Sequence, residues 1–593
     1  YKKIIFSLTF GRPSNNLTTI KEEFLAGVVL NWDAAKNWGI AQATLRKTTN
    51  TDIFSGPWYR FETPTEGIYR IDRTFLQGLG IDVNSVDPRT IKIFSGGGYS
   101  LNEDYTKPRP ELGFEEVSIL AVGEQDGSFD PNDYILFYGR NTEFWEYNSA
   151  QSKIVRVKQP YTKTNYYWLT HSGENGKRVV EKPSLNLPNP YQQTFTLSYY
   201  SNDKDSLKAG PTGREYYGDE FNANRKDRTY MNQLHDIVPG SRINYRFRMI
   251  NSTESVVGYS VYENNNRIFG TNISSLYDYI YGISSIGSAS YQNVLPDNRS
   301  NLRFQIETSA ASAKVYLDYF EIEYQRHLKA LADNLLFFSK DTTALVEYNV
   351  TNFSNSLIQV FDVTDYSNVK LINGAAISGG EYRFRVNEAQ KQVSRYFAVN
   401  SSAYKTPLNG VQVTLSNIRE NTSGTEMIVI TNKVLRSEAE RYASYRSSQA
   451  PSRTNVSIFY VDDIMNEFSA GLLDPTAIRD FIKFAYDNWQ TKPFYVLLFG
   501  DGDFDYLNTI NEDYEKNLVP TYQTLESLSE LRSYPMDDYF VRVSGNDVWG
   551  PDKKIDLTLG RLCVQNLSEA AIAINKIIEY ENDLEKGLWR TNI

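Results

Sequence analysis

Asp501, Asp503 and Asp505 lie in Gly500-Asp-Gly-Asp-Phe-Asp505, directly after the apolar run Phe494-Tyr-Val-Leu-Leu-Phe499. Three carboxylates on one short loop could hold a hard cation such as calcium through oxygen ligands. With Glu512 at the twelfth position the segment imitates an EF-hand, but Tyr506 stands where that loop needs glycine, and a strand leads into it. The EF-hand reading therefore fails. A metal site of another kind stays open, beside the plainer reading that the glycines allow a tight turn and the aspartates cap its backbone. A second acidic loop, Asp126-Gly-Ser-Phe-Asp130-Pro-Asn-Asp133, has the same two readings. Asp537 and Asp538 could do paired acid–base work, for which the separation of the carboxyl groups decides the outcome and sequence fixes no distance.

Nucleophilic chemistry has one candidate, Cys563, the only cysteine of the chain. It stands at an apolar strand end, Leu562-Cys-Val564, with no histidine after His327, and reads as a buried structural residue. The three histidines, His171, His235 and His327, form no HExxH pair, and one cysteine supports neither a disulfide framework nor a Cys-rich zinc site. No catalytic or metal-ligating residue is assigned, and calcium in an acidic loop is the one cofactor left open. Ser95-Gly-Gly-Gly98 lacks a following helix and a P-loop lysine, so it reads as a hairpin turn.

The elements that must position these loops follow from periodicity. Glu426-Met-Ile-Val-Ile-Thr431, Val456-Ser-Ile-Phe-Tyr-Val461 and Phe494–Phe499 are compact apolar strands, separated by an amphipathic helix over 434–449 and another from Pro475 to Trp489. Asp474 before Pro475 is a sound helix start, because its carboxylate can accept orphan N–H groups. A strand is expected over Ile555–Leu562, a helix over Ser568–Leu584, and Ser533-Tyr-Pro-Met-Asp-Asp-Tyr-Phe540 runs into a strand. Alternating strand and helix imply a parallel sheet covered on both faces, whose ligands sit beyond the carboxyl ends of its strands. The acidic loop after Phe499 lies at that edge.

Upstream the sequence is β-rich, with 43 Tyr and 31 Phe. Short strands such as Trp58–Phe61, Gly67–Ile71, Ile91–Phe94, Val117–Ala121 and Tyr134–Tyr138 fill 51–195. Alternating runs over 196–328, among them Arg242–Met249, Val256–Tyr262, Leu302–Glu307 and Ala313–Glu323, suggest a β-sandwich or jelly roll. Its tyrosines could bind sugar or could pack between sheets. A smaller β unit surrounds Leu357–Asp365, Glu381–Val386 and Arg395–Val399. The expected division is 1–195, 196–328, 329–424 and 425–593. The expected fold class is thus multidomain, with β-sandwich or jelly-roll-like domains followed by an α/β domain with a mostly parallel sheet.

The net charge is −10 with no long basic run, so nucleic acid is a poor partner. No window approaches the apolar length of a membrane span. Tyr1–Phe10 carries two lysines before an apolar run, which breaks at Gly11-Arg12-Pro13 without a small-residue cleavage site, so a first strand is expected rather than a signal peptide.

Asp463–Gly471, Asp474–Phe481, Tyr495–Asp505, Val519–Tyr522, Ser533–Phe540, Gly560–Leu562, Ser568–Ala570 and Lys576–Glu581 resemble, in order, segments of the gingipain-type cysteine peptidases. They are most similar to the sortases of the type IX secretion system. Gly127–Gly139 and Val360–Asp365 extend the resemblance upstream, and Met536 departs from it where a small hydroxyl residue is expected. In that family a Gly-His-Gly segment and a downstream Cys form the dyad, and the chain is expected to end before both, so the resemblance implies that 425–593 is the first half of a caspase-like α/β domain. The resemblance implies a cell-surface enzyme at the outer face of the outer membrane. It would remove the C-terminal signal of secreted cargo and pass the cargo to anionic lipopolysaccharide, beside an outer-membrane β-barrel of the PorV type and further attachment-complex proteins. The alternatives are a surface scaffold or adhesin with a peptidase-like fold, and a carbohydrate-binding protein acting through 196–328.

Overall fold

The computed structural model describes residues 56–107, 113–510, 517–544 and 554–582. The strand expected at Tyr1–Phe10, and Glu512, lie outside the described residues.

Strand β1, Trp58–Glu62, sits between Tyr166–His171 and Leu408–Val413 in a five-stranded antiparallel sheet that continues through Ile91–Ser95 to Glu115–Val117. A three-stranded sheet of Gly67–Asp72, Tyr134–Gly139 and Ile119–Val122 completes this layer, and Phe61, Ile71, Ile93, Ile119, Phe137 and Leu169 share its core. The single strand expected over Val117–Ala121 is therefore two. The Ser118 N–H and hydroxyl both donate to the Ser367 carbonyl, and the chain crosses between sheets there. Ser95–Gly98 does turn, with Gly97 and Gly98 at φ +72° and +78°, but it closes no tight hairpin. The chain leaves as an arm, 99–107, before Glu115–Val117 pairs back onto Ile91–Ser95.

A separate two-stranded hairpin follows, β2 (Glu143–Asn148) with β3 (Lys153–Lys158). The sandwich comes next. Its first sheet holds β4 (Phe195–Asp203), β5 (Arg242–Asn251), Ile283–Gln292 and β6 (Lys314–His327), and its second holds Asp227–Gln233, Val257–Glu263, Asn266–Ile273 and Arg299–Glu307. Alternation along β5 points Ile243, Tyr245, Phe247 and Met249 inward against Val261, Phe304 and Phe320. Tyr245, Tyr259 and Tyr324 are buried between the sheets, whereas Tyr277 and Tyr279 are exposed. Two further sheets build the 334–400 region, and Val180–Pro183 and Tyr191–Gln193 join them by parallel pairing with Lys370–Asn373 and Ala344–Val350.

The C-terminal region alternates β7 (Met427–Thr431), α1 (Arg436–Ser448), β8 (Val456–Tyr460), α2 (Val461–Phe468), α3 (Thr476–Asn488), β9 (Tyr495–Phe499), β10 (Thr558–Leu562) and α4 (Leu567–Asn582). The sheet order is β8-β7-β9-β10, parallel throughout. β7 is buried on both faces: Met427 and Val429 pack with α1 and α4, and Ile428 and Ile430 with α2 and α3. The fold class expected from the sequence is the one observed. The strand into which Ser533–Phe540 is expected to run does not follow within the described residues to Ser544. Pro535–Met536 forms a two-residue pair with Tyr522–Gln523, and Asp538–Val541 is a 3₁₀ turn in which Tyr539, Phe540 and Val541 are all buried. Among the described residues no helix is long and apolar enough to cross a membrane.

Candidate functional site at the carboxyl edge of the parallel sheet

β9 delivers its last residue, Phe499, to the sheet edge, and pairing with the strand beside it continues briefly: Gly500 N–H donates to Leu562 O and Asp501 N–H to Val564 O, both at 3.0 Å. The loop then holds itself. The Asp501 carboxylate accepts from Gly502 N–H (3.0 Å) and Gln565 Nε2 (2.9 Å). Asp503 accepts from Asp505 N–H at 2.8 Å. Asp505, fully buried, accepts from Thr509 N–H (2.7 Å), Ile510 N–H (2.6 Å) and the Tyr216 hydroxyl (2.8 Å). Each carboxylate is thus turned to a different set of donors, the arrangement of a capped loop. Asp126 and Asp133 are used alike, accepting from Ser128 N–H (2.9 Å) and Asp130 N–H (2.8 Å). Among the described residues no three Asp, Glu, His or Cys side chains converge as a metal site.

Arg561, on β10, is the hub of this edge. Its Nε and Nη2 clasp Asp537 at 2.6 and 2.8 Å, and its Nη1 donates to the carbonyls of Gly500 (2.9 Å) and Val519 (2.7 Å). Thr521 adds a hydroxyl bond to Asp537 at 2.9 Å. A two-pronged guanidinium–carboxylate pair fixes orientation as well as distance, so Arg561 locks the loop after β9 to the turn at 537. Asp538 pairs with Arg542 instead. The two adjacent aspartates are thereby split between two arginines and do not form an acid–base pair.

Cys563 corrects the expectation of burial, because it is exposed. Leu562 and Val564 turn toward the core, so strand alternation carries Cys563 out to solvent. Partial desolvation and the charges of Asp501 and Asp537 raise its thiol pKa, against the pull of Arg561. A thiol held up in pKa is a poor nucleophile, since the thiolate is the reacting form. The histidines lie in the upstream β-rich part of the chain: His171 stacks on Tyr59, with its pKa lowered by burial, His327 ends β6, and His235 lies in a turn before β5.

Long-range docking, which local sequence patterns do not signal, holds the edge from outside. The sandwich segment 207–217 lies along 521–534 through Thr212 Oγ1 to Ser533 O (2.6 Å), Gly213 N–H to Gln523 Oε1 (3.0 Å), Arg214 N–H to Thr524 O (3.1 Å) and Glu215 N–H to Ser527 Oγ (2.8 Å). Gly213 has φ +87°, and a Cβ there would come within 2.4 Å of the Glu526 carbonyl. Lys208 lies over the rings of Tyr216 and Phe504, and burial lowers its pKa to about 8 despite Asp505 and Glu215. The arm 99–107 docks on the same region. Arg479, fully buried, donates to Glu103 O (2.5 Å) and Asn102 O (3.1 Å), and Glu103 in turn pairs with Arg214 at 2.6 Å. Asp474 accepts from Thr476 N–H (2.9 Å), as expected of a helix start, and also from Leu101 N–H of the arm (2.8 Å). Burial raises its pKa to about 6.

Residues 420–593 match the family model for Peptidase family C25. No curated protein sequence matches the chain. Among solved structures, dimeric latent PorU from Porphyromonas gingivalis matches with a TM-score of 0.76 at 22% identity, over 91% of this chain and 51% of that one. The chain therefore spans about half the length of the PorU chain. A carbohydrate-binding module, CBM36 in complex with calcium and xylotriose, matches 21% of this chain and 98% of its own at 11% identity, with a TM-score of 0.14 that supports no inference. Residues 420–593 are thus similar to Peptidase family C25, the gingipain family of cysteine peptidases, and the multidomain fold that carries them is like that of PorU.

Proposed function

We propose that the whole protein is a gingipain-type cysteine peptidase that works as a sortase on the cell surface, removing the C-terminal signal from type IX secretion cargo. The observation that carries this reading is the coincidence of the C25 match with the parallel sheet and its braced carboxyl edge. In the proposed reaction a cysteine thiolate attacks the scissile carbonyl, and a histidine gives its proton to the departing amine of the signal domain. The cargo is left as a thioester, and an amine on anionic lipopolysaccharide, or water, then takes the acyl group and returns the thiol. N–H donors aimed at the tetrahedral oxyanion would lower both barriers. Cys563 is not the nucleophile in this scheme, given its raised thiol pKa and the placement of the three histidines on other elements. The dyad is assigned to the part of the PorU-like length that this chain does not span.

The same proposal places the protein at the outer face of the outer membrane, in company with a PorV-like β-barrel. Its test is a cargo fusion carrying a C-terminal secretion signal, incubated with the whole purified protein and lipopolysaccharide. Expected are loss of the signal, a cargo species heavier by the lipid-linked sugar, and abolition of both by iodoacetamide. Cargo processed equally with the alkylated protein would overturn the reading.

A further inference from the structure

Beside the hairpin lies a cleft that the proposed chemistry does not use. Among the described residues β3 pairs only with β2, in the register Tyr147↔Ile154, Glu146↔Val155 and Trp145↔Arg156. In an antiparallel pair alternate residues turn their N–H and C=O away from the partner, so the far edge of β3 presents main-chain donors and acceptors with no strand to meet them. A cavity of about 460 Å³ runs along that edge, lined by the consecutive residues Lys153, Ile154, Val155 and Arg156. Its floor is the outer face of the sandwich, where Tyr199 of β4, Glu323 of β6 and Asn244 of β5 lie in one row and Glu321 and Arg246 in the next.

The edge is held at a fixed height above this floor. Trp145 stacks on Tyr199 with ring centres 4.6 Å apart, Arg156 pairs with Asp203, and Phe144 on the opposite face of the hairpin is buried against Tyr99. A second cavity of about 470 Å³ continues round the hairpin tip and shares Lys153, Ile154, Tyr199 and Glu323 with the first. At the other end of β3, Lys158 and Asp203 line clefts that reach Leu507, two residues beyond Asp505. Tyr161, just past β3, packs edge-on against Tyr506 at 5.0 Å.

We propose that the open edge of β3 docks an extended peptide segment, which adds to the hairpin as a third strand and runs toward the carboxyl edge of the parallel sheet. Strand addition draws affinity from main-chain bonds and specificity from pockets for alternate side chains. A peptide fits better than a glycan because Trp145 and Tyr199 stack on each other, so one face of each ring is already occupied and closed to a sugar. Asn244 and Glu323, joined by a 2.7 Å bond, suit hydroxyl or amide side chains on the floor. Exposed Lys153 at the tip suits a carboxylate. As peptide binding the inference stands on the cleft alone, and as recognition of peptidase substrate it rests on the proposed function.

The test is amide hydrogen exchange on the full chain, with a panel of octapeptides alternating valine and threonine and carrying aspartate at one end or the other. Binding is expected to slow exchange within Ile154–Lys158 about tenfold or more, as pairing removes those amides from solvent. N-methylation of alternate peptide bonds is expected to abolish that protection. Asn244→Arg, which fills the cleft floor from an exposed position, is expected to weaken binding about tenfold, as read by anisotropy, with an unchanged melting temperature. Absence of protection with every peptide up to about 1 mM, protection that survives N-methylation, or protection by oligosaccharides instead would each overturn the proposal. None of these outcomes bears on thiol-dependent cargo processing, so the two readings fail separately.

Discussion

Arg561 spends four hydrogen bonds on holding three segments together, and a lysine cannot reproduce its fork. Arg561→Lys is expected to lower unfolding stability by about 2–4 kcal/mol, from the broken pair and the carbonyls left without donors. The shift of the urea midpoint at constant slope measures it. Cys563 should behave as an exposed but sluggish thiol. Its alkylation at pH 7 is expected to lag behind free cysteine and to accelerate above the ordinary thiol range, and Cys563→Ser should leave processing by the whole protein intact. At this scale the sequence placed the acidic loop at the sheet edge from Phe494–Phe499 and its glycines. It misplaced Cys563, because a three-residue apolar context does not tell which face of the strand the middle residue takes.

Asp474 ties α3 to the arm, and its pKa is raised from 3.8 to about 6 by burial. A carboxyl raised in the folded state is protonated there at pH values where the unfolded chain has already released the proton. Its contribution is therefore most favourable below pH 4 and is lost as pH rises to 6. Asp474→Asn should be less stable overall, having one acceptor where two N–H groups point, and should lack that decline between about pH 4 and 6 in denaturant titrations. Lys208 has the opposite sign. A lysine lowered to about 8 opposes folding while charged, so its docked segment should gain stability as pH rises from about 8 toward 10. Lys208→Met should remove that rise. Gly213→Ala meets both a left-handed φ and the Glu526 carbonyl, at a cost of about 1–3 kcal/mol. Limited proteolysis is expected to cut 521–534 faster in that variant.

Element types were legible where apolar spacing was regular. The helix α2 is not among the expected elements, although Val461, Ile464, Met465 and Phe468 stand at helical spacing, and it takes Val461 from the strand expected over Val456–Val461. The docking of segment 207–217 was not legible. Tyr216 and Asp505 stand 289 residues apart, and nothing local marks either for the other.

Across the whole molecule, β domains converge on one edge of one parallel sheet. The arm 99–107 and the sandwich segment 207–217 both bind residues of the C25-like segment and meet at the Arg214–Glu103 pair. The sequence conveyed this organisation as a succession of periodicities, β then alternating β and α. It could not convey the crossings, such as Leu408–Val413 returning to β1, because strand pairing between segments about 350 residues apart leaves no periodic trace. The most direct measurement is mass spectrometry of the whole protein trapped by acid during cargo turnover, with peptides assigned around the acylated cysteine. The expected result is a cargo acyl group on a cysteine other than Cys563. An acyl group on Cys563, or turnover with no cysteine-bound species and no sensitivity to alkylation, would contradict it.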